Sequence, residues 1–144
     1  MPALKLINTV ALLAASLLLS ACFPVYKTLQ PYAEAQVFDE SGKKLSGAKT
    51  EVALISSASP YGYEQFRTVV HPGPAGIARF YKVKDFRFES LTMHGIQAFS
   101  WSWCVRSKGY ETVTKSYRSD GQFEPYAQFK LKPGVSTACP MPQY

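Results

Sequence analysis

The sequence predicts an all-β domain, a seven-stranded Greek-key β-sandwich, preceded by an N-terminal export signal. Two observations carry the fold prediction. From Tyr32 onward, short segments of alternating or β-branched and aromatic residues are separated by Gly, Pro, Ser and Asp, which is typical of strands and turns. No window of eleven or more residues in this region has a clear apolar stripe with a 3.6-residue period, although positions 83–93 could hold a short helical turn.

The first 21 residues have the pattern of an export signal. Lys5 is the only charged residue before a nearly unbroken apolar run from Leu6 to Leu19. As a helix, these roughly 14 residues would measure ~21 Å, which is shorter than the ~30 Å hydrocarbon core of a bilayer. A permanent transmembrane helix is therefore not expected.

Leu19-Ser20-Ala21-Cys22 ends this run and resembles the lipobox of bacterial lipoproteins, in which a Leu and two small residues precede a Cys. The resemblance implies cleavage between Ala21 and Cys22, attachment of a diacylglycerol to the Cys22 thiol and acylation of the new amino group. Two or three acyl chains hold a protein on a bilayer almost permanently, so membrane lipid is the first expected partner. The alternative is an ordinary secretory signal followed by a free or disulfide-bonded Cys22.

The mature chain has the size expected of a single domain with its own core. Removal of the first 21 of the 144 residues leaves 123, and loss of Lys5 lowers the net charge from +6 to +5. The basic residues are scattered, so no nucleic-acid partner is expected.

In many bacterial lipoproteins, an Asp directly after the lipidated Cys retains the protein in the inner membrane. Phe23 occupies that position here, so the outer membrane is the expected location. Periplasmic and surface-facing orientations are both open.

The mature chain divides into a tether, a domain and a tail. Residues 22–31 have no clear periodicity and contain Pro24 and Pro31, so they are predicted to be a lipidated tether without regular pairing. The β-sandwich is predicted at 32–134, followed by a C-terminal tail at 135–144. The predicted strands span 32–39, 48–55, 65–70, 76–82, 96–106, 111–117 and 126–132.

The fifth predicted strand is the most informative. Phe99, Trp101 and Trp103 alternate with polar residues and with Cys104, so one face of the strand is strongly apolar and is expected to lie in the core. The alternative is a solvent-facing tryptophan platform for stacking sugars.

With Cys22 assigned to lipid, Cys104 and Cys139 remain, in a compartment that permits oxidation, and a disulfide is predicted between them. Because Cys104 points away from the core face, the tail should fold back over the outer face of its sheet. The alternatives are two free thiols or a metal pair with His71 or His94.

Several motifs in order resemble carboxypeptidase-regulatory-like domains. These are an Asp-ended strand with a Gly turn, a Gly-x-Ala-x-Phe strand, a Gly-Tyr turn and a closing strand, found here at 37–42, 76–80, 109–112 and 129–134. The Asp usual before the fourth strand is absent. The resemblance implies a transthyretin-like, seven-stranded sandwich whose relatives serve as accessory, adhesive or carbohydrate-binding modules and are seldom enzymes.

No catalytic motif was found in the sequence. There is no Gly-x-Ser-x-Gly elbow, no His-Glu-x-x-His and no phosphate-binding glycine loop, so no catalytic residue, cofactor or metal is expected. His71 and His94 could meet in space, and Asp85, Glu89 and Asp120 could pair, but such residues in β proteins are usually loop or surface residues.

The most plausible interaction surface is a predicted loop at 56–64, in which Tyr61 and Tyr63 stand among small residues. The alternative is a packed or merely mobile loop. Phe86 and Phe88 form a second, weaker candidate.

The leading hypothesis is a noncatalytic, membrane-anchored envelope lipoprotein whose β-sandwich binds another protein or stabilises an assembly. One alternative is a carbohydrate- or peptidoglycan-binding lipoprotein, and another is a lipoprotein component of a secretion system. A hydrolase is the remaining class.

Overall fold

The computed structural model describes residues 10, 12–13, 16, 22–59, 62–90, 97–117 and 120–140. The four residues described within the predicted export signal are helical, and the rest of that signal lies outside the described residues. Among the described helices, none combines the length and hydropathy needed to cross a bilayer.

The described chain is all-β, as predicted. It forms nine strands and one 3-10 turn at Asp120–Gln122. The strands are β1 (Cys22–Gln30), β2 (Ala33–Asp39), β3 (Thr50–Ser59), β4 (Tyr63–Val70), β5 (Ile77–Phe80), β6 (Val83–Ser90), β7 (Ala98–Ser107), β8 (Val113–Ser116) and β9 (Tyr126–Leu131). Each of the seven predicted strands overlaps one of these, whereas β1 and β6 were not predicted, so the predicted strand count is wrong.

The nine strands form three sheets. One has the order β5-β2-β9, with β5 antiparallel and β9 parallel to β2. The second has the order β4-β3-β7-β8 and is antiparallel throughout. The third is the pair β1-β6. By contacts the chain separates into two compact units, a first unit of Met1–Lys27 with Phe86–Gln97 and a second unit of Thr28–Asp85 with Ala98–Tyr144.

The core of the second unit lies between its three-stranded and four-stranded sheets. Its buried side chains alternate along the strands, with the three-stranded sheet contributing residues such as Val37, Phe80 and Phe129, and the four-stranded sheet Leu54 and Trp103. Since every second residue faces inward, the two sheets bury a shared apolar layer, which is a β-sandwich-like arrangement.

Trp103 is the centre of that layer, as the alternation predicts. Its ring contacts Phe80, Phe123 and Phe129 at centroid distances of 5.4, 5.6 and 6.0 Å, and its indole N–H donates to the Glu124 carbonyl. Trp101 is partly buried and donates to the Leu29 carbonyl at 2.9 Å. An exposed tryptophan platform is therefore wrong for Trp103, because this side chain is fully buried.

The segment predicted as an unpaired tether forms strand β1 instead. Pro24 does not prevent this, because each strand of a two-stranded sheet has an open edge at which no N–H donor is needed, and Pro31 follows the last residue of the strand. In the second unit, the end of β1 is fixed by burial of Leu29 and by the Gln30 amide, which donates to the Tyr81 carbonyl at 2.7 Å.

The predicted disulfide between Cys104 and Cys139 is present, with its Cα atoms 5.9 Å apart. Cys139 packs against a small apolar cluster on the outer face of the four-stranded sheet, formed by Ala53, Ile55 and Cys104. The disulfide accounts for both thiols, so the two alternatives, free thiols and a metal pair, are wrong.

The tail runs from the start of β8 over β7 and β3 to β4. Thr137 exchanges hydrogen bonds with Thr112 just before β8, Cys139 is bonded to β7, and the Pro140 carbonyl accepts from Arg67 on β4. The prediction that the tail folds back over the outer face is therefore confirmed for the described residues up to 140.

Candidate functional site

Cys22, the predicted lipidation site, is exposed as the first residue of β1 and forms no disulfide. Ala21, on the other side of the predicted cleavage point, lies outside the described residues. The thiol is therefore accessible for modification.

The predicted binding loop is mostly a β-hairpin. Positions 56–59 belong to β3, and Tyr63 and Glu64 open β4, with a register shift between Ser56 and Ser57. Tyr63 is exposed, whereas Tyr61 lies outside the described residues. Glu64 accepts both hydrogen bonds of a bidentate pair with Arg67, at 2.8 and 2.7 Å, which holds the start of β4.

A second group of tyrosines, which the sequence pattern did not single out, lies at one end of the three-stranded sheet. Tyr32 precedes β2, Tyr81 follows β5 and Tyr126 begins β9. The antiparallel register of β2 with β5 and the parallel register of β2 with β9 place Tyr32 between the other two rings, at centroid distances of 6.5 Å to each. All three rings are exposed, and we call them the tyrosine cluster.

A shallow groove of about 240 Å³ lies beside the cluster on the outer face of this sheet. Its polar walls are the side-chain amides of Gln36 and Gln128 and the carboxylate of Glu34. Gln128 Nε2 donates to the side-chain oxygen Oε1 of Gln36 at 3.3 Å. Ile77 and the Tyr126 ring add apolar surface. The groove thus offers hydrogen-bond donors and acceptors next to an exposed aromatic ring.

Glu34 joins the groove to the cluster. Its Oε1 accepts from the Tyr32 hydroxyl at 2.5 Å and from Arg79 Nε at 3.1 Å. The Tyr32 hydrogen bond, with Arg79, holds the pKa of Glu34 below its ordinary value, and the same bond raises the pKa of Tyr32. The shifted pKa values keep Glu34 an ionised acceptor and Tyr32 a protonated donor at neutral pH.

Two of the titratable residues considered for catalysis, His71 and Glu89, have hydrogen-bond partners in the fold. His71 Nδ1 forms a hydrogen bond with the Thr50 carbonyl at 2.9 Å, and His94 lies outside the described residues. Glu89 accepts from Lys27, Asp85 is exposed on β6, and Asp120 begins the 3-10 turn. No cluster of three or more His, Cys, Asp and Glu side chains that could hold a metal occurs within the described part of the chain.

The sequence contained part of the signal for the tyrosine cluster. Alternation along β9 places Tyr126, Gln128 and Lys130 outward, and this could be predicted. The strands adjacent to β9 could not be predicted, because a parallel pairing with β2 produces no sequence pattern in either strand.

Comparison of the chain with protein-family models, with curated proteins and with solved structures found no match in any of the three.

Proposed function

We propose that the protein is a noncatalytic lipoprotein of a bacterial cell envelope, anchored through Cys22, and that its β-sandwich binds a partner protein through the tyrosine cluster. The cluster with its groove is the observation that carries the binding role. The Leu19–Cys22 motif and the exposed Cys22 support the anchor. Phe23 after the lipidated Cys favours the outer membrane.

The second unit supports a transthyretin-like domain of the carboxypeptidase-regulatory type. The three-stranded and four-stranded sheets together have the seven strands such a domain requires. Two motif turns are also joined, because the Tyr110 hydroxyl of the Gly-Tyr turn donates to Asp39 of the first turn at 3.3 Å. Gly76 begins the Gly-x-Ala-x-Phe motif and has a φ of +71°. A Cβ at this position would lie 2.7 Å from the Val37 carbonyl oxygen, so any other residue would clash there.

A protein partner is favoured by the chemistry of the cluster. Tyr and Arg are enriched among residues that dominate protein-protein binding energies. The contacts of Tyr32 with Tyr81, Tyr126 and Glu34 hold its ring before any partner arrives, which lowers the entropic cost of association. A role in an envelope assembly, including a secretion system, is one form of this proposal.

A carbohydrate or peptidoglycan ligand is the second candidate. The observation that favours it is the pair of amides, Gln36 and Gln128, next to the Tyr126 ring. A sugar ring stacked on Tyr126 would bring its hydroxyls to these amides.

Site-specific photocrosslinking in intact cells tests the proposal. A photoreactive phenylalanine analogue replaces Tyr126 in one strain and exposed Val135 of the tail in another, and mass spectrometry identifies the adducts. We expect the analogue at position 126 to capture one protein that the analogue at position 135 does not capture. Adding Tyr81→Ser and Arg79→Ala should abolish this capture. Glycan adducts at 126 would favour the second candidate. Equal capture at both positions would reject the cluster as the binding site.

A further inference from the structure

In the described part of the first unit, three aromatic rings on strands β1 and β6 are exposed. Tyr26 is 65% exposed, Phe86 55% and Phe88 71%, and the two phenylalanine rings contact each other edge-to-face at 5.4 Å. We call these three residues the aromatic face. Exposed aromatic groups of this size commonly mark an interaction surface.

One ion pair shows that the three rings share a side of the ribbon. Lys27 on β1 donates to both carboxylate oxygens of Glu89 on β6, at 2.5 and 2.7 Å, so these two side chains lie on the same side. Lys27 also donates to the Gln97 carbonyl. Because side chains alternate along a strand, Tyr26, Phe86 and Phe88 lie on the opposite side. The exposures agree, since Lys27, Arg87 and Glu89 are half-buried.

The same alternation places Cys22 and Pro24 with Tyr26. Tyr26 lies four residues after Cys22, a distance of ~13 Å at 3.3 Å per residue. A lipid on Cys22 would therefore hold this end of the ribbon at the bilayer surface, with the aromatic face beginning ~13 Å from the lipidated residue.

We propose that the aromatic face lies in the interfacial region of the bilayer that holds the lipid anchor, so that the occupant of this surface is lipid. The inference rests on the proposed anchoring at Cys22. Aromatic rings are favoured at the level of the headgroups. The ribbon lies there and not in the hydrocarbon core, because a two-stranded sheet has open edges whose backbone groups need water.

The consequence is a second contact with the membrane in addition to the acyl chains. A flexible tether would let the domain sample many orientations, whereas a lipid-bound ribbon holds the first unit flat against the bilayer. Phe86 and Phe88 are the principal contacts, because they carry no polar group and are both exposed.

The test uses the full processed protein, extracted from membranes and reconstituted into vesicles of phosphatidylethanolamine and phosphatidylglycerol. The vesicles contain a lipid with a diazirine close to its headgroup, and photoadducts are mapped by mass spectrometry. We expect adducts on Tyr26, Phe86 and Phe88 to exceed those on Tyr81 and Tyr126 several-fold, although Tyr81 and Tyr126 are 72% and 70% exposed. The variant Phe86→Ser/Phe88→Ser should lose most adducts on the remaining ring, Tyr26, whereas the matched control Tyr81→Ser/Tyr126→Ser should keep them.

Two further measurements keep the outcomes separate. Intact mass shows whether Cys22 carries acyl chains, and their absence rejects the proposed anchor. If the protein is acylated but its adducts are spread evenly or concentrated on Tyr81 and Tyr126, the proposed contact between the aromatic face and the bilayer is wrong. The proposed anchor at Cys22 then stands. If the double Ser variant fails to fold by circular dichroism, the single variant Phe88→Ser replaces it and should lower the adducts on Tyr26.

Discussion

Trp103 has the largest side chain among the fully buried residues, and its removal is the simplest test of the core. We predict that Trp103→Ala lowers the free energy of unfolding by about 3–5 kcal/mol, because the cavity lies between Phe80, Phe123 and Phe129 with little freedom to collapse. Urea denaturation measures the change. Tyr126→Ala, an exposed aromatic residue, is the control and should change stability by about 0.5 kcal/mol or less. A small loss for Trp103→Ala would contradict the assigned core.

Asp39 links stability to pH. Its Oδ1 accepts from the Ser41 hydroxyl and from the backbone N–H groups of Ser41 and Lys43. These bonds, the Ser41 hydroxyl first, hold the pKa of Asp39 below its ordinary value. A carboxyl with a lower pKa in the folded state stabilises the fold above its unfolded pKa of ~3.9, and this contribution is lost as pH falls through the folded pKa.

We therefore predict that Asp39→Asn makes the melting temperature less sensitive to acid below about pH 4, relative to wild type. Thermal unfolding followed by circular dichroism from neutral pH to pH 3 provides the comparison. Ser41→Ala, which removes the principal donor to Asp39, should raise the pKa of Asp39 toward its ordinary value, and NMR titration can detect this. Identical acid profiles for wild type and Asp39→Asn would refute the assignment.

Among the elements, the tail is held by one covalent bond and several exposed hydrogen bonds. Cys104 and Cys139 close a loop of 35 residues, so the chain-entropy model assigns the disulfide about 4 kcal/mol. We predict that Cys104→Ser/Cys139→Ser folds with a lower melting temperature and a protease-sensitive tail, because the core between the two sheets is untouched. Limited proteolysis with mass analysis locates the cleavage. Reduced wild-type protein should match the variant, and complete loss of structure would mean that the disulfide organises the core itself.

Local alternation predicted some elements and missed others for physical reasons. On β7 it placed Trp103 inward and Cys104 outward, and the course of the tail followed from that. On β6 the apolar residues Phe86 and Phe88 do alternate with charged residues, but they face out while Arg87 and Glu89 are half-buried, which reverses the usual rule. The tyrosine cluster depends on which strands are neighbours, and strand order is a property of the whole sheet.

At the scale of the whole molecule, the decisive residue is Cys22. We predict that Cys22→Ser leaves an uncleaved or mislocalised precursor, because a hydroxyl cannot form the thioether that precedes cleavage at a lipobox. Membrane extraction and intact mass measure the change, and globomycin should cause the same accumulation of wild-type precursor. Unchanged extraction and unchanged N-terminal mass in the variant would rule out the lipoprotein assignment.

The parallel pairing of β2 with β9 also has a consequence for when the protein can fold. The side-chain hydrogen bond between Gln36 and Gln128 in this pairing spans 92 residues of sequence. Because β9 forms one edge of the three-stranded sheet, the sandwich cannot close until the chain has been synthesised as far as Leu131. Pairing between such distant segments of a chain is intrinsically slow. The core of the sandwich is therefore completed only when residues 126–131 are available, so this topology places the closure of the core near the end of synthesis.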